Sequence, residues 1–143
     1  MTAIGTSKRR FASRVILSKR PSAGTIDCAD PVRMSQFWAP LLGIEPSREH
    51  GDDPDWTTLG SWPAPAPRPT FQRVPEPKST KVRIHLDVEV DDIEAGRQRV
   101  ENLGGGWSGV RHEYDEEVVL TMLNPEGHEF YLVQYFEKPT AGS

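Results

Sequence analysis

This sequence predicts an α+β fold built from two copies of one unit, and three observations carry that reading. Residues 25–43 and 84–105 both run as strand, acidic turn, helix and glycine stop. A shift of 62 residues lays Asp30 on Asp92, Trp38 on Val100, Leu41 on Leu103 and Gly43 on Gly105. Such internal repetition constrains the architecture more than any single motif. With 143 residues the chain has the length of one domain, and it buries an adequate core only if most of its length joins in.

The elements follow in order. Ala23 to Cys28 fits a short strand. Asp30-Pro31 then supplies an acidic N-cap and a proline at the first helical position. Met34, Phe37, Trp38, Leu41 and Leu42 fall at helical spacing to about Leu42, Gly43 is placed to stop the helix, and Pro40 predicts a distorted last turn. Residues 44–67 are turn-rich apart from a strand expected at 56–60, and Pro63, Pro65 and Pro67 mark 61–67 as an exposed, semi-rigid connector. A strand over 70–74 closes the first half before Pro75 and Pro77.

In the second half Ile84, Leu86, Val88 and Val90 alternate with His85, Asp87 and Glu89, which predicts a strand over 83–90. Asp92 caps a helix through Leu103, carried on Ile93, Val100 and Leu103 and stopped by Gly104-Gly105-Gly106. Strands are expected at 107–112, 117–123 and 128–135, the last two joined by Asn124-Pro125-Glu126-Gly127, which has turn chemistry. The expected organisation is a basic extension over 1–21, one domain over 22–137 with modules at about 22–75 and 80–137, and a tail over 138–143.

The net charge of −4 conceals a division. Residues 1–20 hold Lys8, Arg9, Arg10, Arg14, Lys19 and Arg20 and no acid, leaving eleven bases against twenty-one acids, or −10, in the remainder. An acidic body argues against a nucleic-acid groove on the domain, and the arm reads as a solvated tail. No apolar run approaches the roughly 20 residues that span a bilayer, and no signal-peptide pattern opens the chain, so a cytoplasmic protein without a membrane partner is expected. The single cysteine, Cys28, reads as a buried thiol in a strand.

Four strings carry a family resemblance: Asp-Cys-Ala-Asp-Pro at 27–31, Phe-Gln-Arg-Val-Pro-Glu-Pro-Lys at 71–78, His-Leu-Asp-Val-Glu-Val-Asp-Asp at 85–92 and Asn-Pro-Glu-Gly-His-Glu-Phe at 124–130. Over about residues 22–136 the chain resembles the vicinal oxygen chelate superfamily, the glyoxalase/bleomycin-resistance/dioxygenase group, and most closely its actinobacterial-type glyoxalase-like proteins. The resemblance implies paired βαβββ modules forming a curled mixed sheet around a cleft, with the helices outside. It also implies a homodimer. By strand parity His85, Asp87 and Glu89 would then face the cleft, as would Thr25 and Asp27, while Ile26 and Cys28 meet the first helix. Tyr131 and Tyr135 would point inward, and Phe130 and Leu132 outward.

Metal-dependent members place His, Gln or Glu ligands on four cleft strands, and here the resemblance puts those places on Ala23, Gln72, His85 and Tyr131. Only His85 is a good donor, so no cofactor is predicted, and a divalent metal is disfavoured. The remaining route to a metal is a carboxylate-rich set of Asp27, Asp87, Glu89 or Glu129 around His85. His50, His112 and His128 read as exposed. No nucleophile elbow or phosphate loop occurs.

Two function classes fit these residues. The first is a metal-independent lyase, isomerase or hydratase with His85 and Asp27 as the catalytic pair, since a carboxylate fixes an imidazole tautomer and tunes its pKa. In this class Gln72, Asp87, Tyr131 and Trp56 contact the ligand. The second is a non-catalytic binder of the bleomycin-resistance type that sequesters a drug or metabolite, for which aromatic side chains and acidic cleft residues suit a planar cation.

Overall fold

The computed structural model describes residues 23–61 and 68–137. The basic arm, the proline-rich connector with Trp62, and the C-terminal tail lie outside the described residues. The elements run β1 (Ala23–Cys28), α1 (Pro31–Leu42), β2 (Trp56–Thr58), β3 (Arg68–Arg73), β4 (Asp87–Glu89), α2 (Ile93–Asn102), β5 (Gly106–Glu113), β6 (Glu117–Leu123) and β7 (Glu129–Tyr135). The α+β class and the module order stand as expected. Both helices begin alike, because Asp30 Oδ1 accepts from the N–H of Arg33 and Asp92 Oδ1 from the N–H of Ala95.

The strands form two sheets, ordered β1-β3-β2 and β4-β7-β6-β5. In each, the first strand of the module pairs in parallel with the last: β1 with β3, and β4 with β7. The expected paired modules thus each carry a mixed ladder of their own, and the open edges of β1 and β4 belong to different ladders. Among the described residues the first module has two strands after its helix where the βαβββ pattern has three, and an isolated bridge joins Pro46 to Leu59.

The largest correction concerns 83–90, where the ladder strand is only Asp87–Glu89. Backbone bonds from the Tyr131 N–H to Leu86 O and from the Val90 N–H to Val133 O extend its pairing by one residue at each end. Residues before Leu86 have no such partner, and Ile84 is 87% exposed instead of packing on a helix. β4 is a sheet edge and α2 covers only its far end near Val90, so Ile84 and Leu86, expected to meet that helix, line the cavity, and His85, Asp87 and Glu89, expected to face the cleft, do not line it.

One core serves both modules. Met34, Phe37 and Trp38 of α1 meet Leu59 and Phe71 of the first sheet and Leu120, Met122, Phe130 and Leu132 of the second. At its centre Phe37, Trp38 and Phe130 make mutual edge-to-face contacts with ring centroids 4.8–5.9 Å apart. The glycine stops differ in detail. Gly43 closes α1 at φ 67°, whereas after α2 the positive φ falls on Gly104 at 100°, one residue before the position the repeat aligns with Gly43.

Candidate functional site

The gap between the open edges of β1 and β4 is a cavity of about 1030 Å³. Its walls follow from the fold. Residues Gly24 to Ala29 line one side, and Val82, Ile84 and Leu86, which lead into β4, line the other. Trp38 and Phe130 of the shared core form the apolar floor. Four carboxylates, Asp27, Glu76, Glu126 and Glu129, line it against one ammonium, Lys78.

Two of those carboxylates also build the walls. Glu126, at the β6–β7 turn, accepts from the backbone N–H groups of Ala29 and Asp30 at 2.6 and 2.9 Å, tying the second module to the start of α1. The turn that presents it is held by Asn124, whose Oδ1 accepts from the N–H groups of Glu126 and His128. Glu129 accepts from Lys78 Nζ and from the Val82 N–H, both at 3.0 Å, and so pins the inter-module segment beside β7. Burial pushes its carboxyl up, but the Val82 N–H and the Lys78 ammonium outweigh this and hold it at about 2, below the usual 4.5. A carboxyl depressed by folding stabilises the fold above its unfolded value, and that contribution is lost as pH falls through the folded one. Urea midpoints of the wild type are therefore expected to fall between pH 4.5 and pH 2 by more than those of Glu129→Gln; equal slopes would refute the tie.

His128 also lines the cavity and is half-buried, contrary to its expected exposure; burial lowers its pKa, leaving the ring neutral at pH 7. Cys28 lies in the wall with its thiol against Gln72 O, and burial, then Glu126 and Asp30, push it up to about 12, which leaves it inert as a nucleophile. The indole N–H of Trp38 is buried and has no hydrogen-bond partner among the described residues. An orphaned donor of this kind costs about 1–3 kcal/mol.

The residues expected from sequence fall into two groups. Asp27 pairs in register with Gln72, and Gln72 with Trp56, across β1, β3 and β2. Asp27 lines the cavity, while Gln72 and Trp56 line a separate pocket of about 510 Å³ with Asp55 and Arg73. On the other sheet Asp87 pairs in register with Tyr131, and His85 stacks on the Tyr131 ring at 4.8 Å and 7°. Nε2 of His85 is buried without a partner among the described residues, and no hydrogen bond joins His85 to Asp27. His50, expected to be exposed, instead stacks on Trp56 and bonds Thr58 Oγ1, which bonds Thr70 Oγ1 in turn.

A metal does not fit the donors present. Ala23 has none, Gln72 lies on β3 while His85 precedes β4, and among the described residues no three His, Cys, Asp or Glu side chains come together to hold an ion. Of the carboxylates considered around His85, Glu129 is already engaged by Lys78 and the Val82 N–H.

Sequence reasoning missed Glu76, Lys78, Glu126 and His128 as cavity residues. They sit in the Pro-Glu-Pro-Lys and Asn-Pro-Glu-Gly-His strings, which carried the resemblance without being given a spatial role.

The fold and its inter-sheet cavity define a small α+β protein of paired strand-helix-strand modules. The chain belongs to the glyoxalase-like domain family, whose profile matches residues 23–133. Among solved structures it is similar to a glyoxalase/bleomycin resistance protein/dioxygenase family enzyme from Burkholderia phytofirmans PsJN, at 17% identity and TM-score 0.65 over 80% of this chain and 98% of that one. A glyoxalase/bleomycin resistance protein/dioxygenase from Nocardioides matches at 15% identity and TM-score 0.61, over 96% and 98% of the two chains. A glyoxalase-related enzyme from Fulvimarina pelagi matches at 13% identity and TM-score 0.64, over 87% and 96%. These likenesses are of fold. No curated protein matches the sequence significantly. No helix among the described residues is long and apolar enough to cross a membrane.

Proposed function

We propose that this protein is a small-molecule binder whose ligand, an organic molecule with an apolar body and a cationic group, is held without bond change in the cavity between β1 and β4, in a homodimer. The observation that carries this reading is the pairing of an apolar floor, Trp38 and Phe130, with a lining of four carboxylates against one ammonium. Apolar walls supply affinity, and a few placed polar groups supply orientation. Asp27, which no cation engages among the described residues, is the assigned ionic contact, and a ligand acceptor beside Trp38 would relieve its orphaned N–H.

The acid/base reading rests on one observation, the unpartnered Nε2 of His85. In that reading His85 and Asp27 act on a bound molecule that Gln72, Asp87, Tyr131 and Trp56 contact. Fluorescence titration with the cationic dye rhodamine 6G separates the two. In the binding reading Asp27→Lys weakens the dye at least tenfold and His85→Ala leaves it within twofold. Unsaturable dye uptake, or equal affinity for an anionic naphthalene sulfonate, would overturn the cation assignment. Sedimentation of the same samples as a 16.0 kDa species at micromolar concentration would remove the dimer.

A further inference from the structure

The cavity follows the open hydrogen-bonding edge of a strand along its length. Among the described residues β1 is terminal in its sheet and pairs only with β3, β4 is terminal in the other, and consecutive residues Gly24 to Ala29 line the cavity. An unpaired edge presents a row of N–H and C=O groups that an extended peptide can complete, with side-chain pockets supplying selectivity. Ile84, 87% exposed, and Leu86, 39% exposed, offer apolar contact on the far wall.

Charge narrows the choice of peptide. Among the described residues, only Glu129 of the four lining carboxylates is engaged by a cation, Lys78, which leaves Asp27, Glu76 and Glu126 as a negative surplus along the gap. A chain segment of opposite character joins the fold at the cavity. Residues 8–20 carry six cations and no acid around Val15-Ile16-Leu17, and Gly24, four residues beyond Arg20, lines the cavity. An extended residue spans about 3.3 Å, so six residues doubling back from Arg20 match the six residues of β1.

We infer that the cavity edge is a docking site for an extended cationic peptide, and that its occupant is the chain's own arm, residues 8–20, which lies against β1 and competes with the small-molecule ligand. This rests on the binding reading above but is tested separately from it. A short covalent tether gives an effective concentration of about the millimolar range, so even weak intrinsic affinity fills the site. Because the attraction is between charges near solvent, it weakens with salt.

The test uses the full chain and a full-length variant in which Lys8, Arg9, Arg10, Arg14, Lys19 and Arg20 are all replaced by Gln. A nitroxide attached at Ser13→Cys is expected to broaden the NMR signals of Ile26, Ile84 and Leu86 in the wild-type background and to leave them sharp in the six-Gln variant; Cys28, buried and held protonated, does not compete for the label. Rhodamine 6G should bind the six-Gln variant at least fivefold more tightly than the wild type, and a synthetic peptide of residues 8–20 added in trans should reverse that gain. Absence of broadening overturns the inference, as does broadening seen only between molecules in a mixed labelled and unlabelled sample, which would assign the arm to a second copy. Dye binding that is equal in both chains and indifferent to 10 mM peptide overturns the competition while leaving the binder reading intact. Broadening with no dye uptake in either chain supports the docked arm and overturns the cationic small molecule instead.

Discussion

Gly105→Ala is expected to destabilise the fold by about 3 kcal/mol, read as a fall in the urea midpoint with an unchanged slope. A methyl group there would stand 2.5 Å from Leu123 O, 2.8 Å from Val100 Cγ1 and 3.0 Å from Phe37 Cε1. The first neighbour is backbone inside β6 and cannot yield. The third belongs to α1, so the clash reaches across the shared core into the other module. Gly106→Ala is the control, because its added methyl meets nothing within 4 Å, and a change within about 0.5 kcal/mol is expected. Equal losses at the two positions would show that the glycine run acts through chain flexibility and not through this packing.

Glu126→Ala is expected to cost about 2 kcal/mol, since it removes a carboxylate that accepts two backbone N–H groups at the entry to α1. The negative charge is also well placed beside a helix N-terminus. Glu126→Gln keeps one acceptor oxygen and loses the charge, and should fall between wild type and Ala. Hydrogen exchange locates the effect: the Ala29 and Asp30 amides should lose protection in Glu126→Ala while amides in the middle of β6 keep theirs. Unchanged exchange at Ala29 and Asp30 would mean that the tie carries no stability.

The parts of this fold that sequence made legible are those governed by local chemistry. Asp30 and Asp92 announce their helices because an acidic side chain before the first turn has one useful thing to do there, and the contacts to Arg33 and Ala95 show it done. Strand 117–123 was readable to the residue, since Val118, Leu120 and Met122 face the core while their neighbours do not. The ends of 83–90 were not readable, because alternation records which face a side chain takes and carries no information on whether a neighbouring strand arrives to pair with it. The site divides in the same way. Parity assigned Asp27 and Asp87 to a strand face, but their register partners, Gln72 and Tyr131, and the distance between the two sheets are tertiary quantities. Ile84 and Leu86 accordingly read as core and stand in a cavity wall, and Glu126 and Lys78, which read as turn and linker residues, line the same space.

The separation of the two ladders has a consequence for how this architecture can diversify. Within a sheet, neighbouring strands are fixed about 4.8 Å apart by backbone bonding, and no side-chain change alters that spacing. Across the gap between β1 and β4 no ladder among the described residues sets the distance; Trp38 and Phe130 fill the space below, and Glu126 ties the second module to Ala29 and Asp30 at the side. The width of the opening is therefore written in a few side chains, each replaceable by a single substitution, while the backbone frame on either side stays as it is. A chain built this way can be refitted to guests of different girth one residue at a time, without refolding either half.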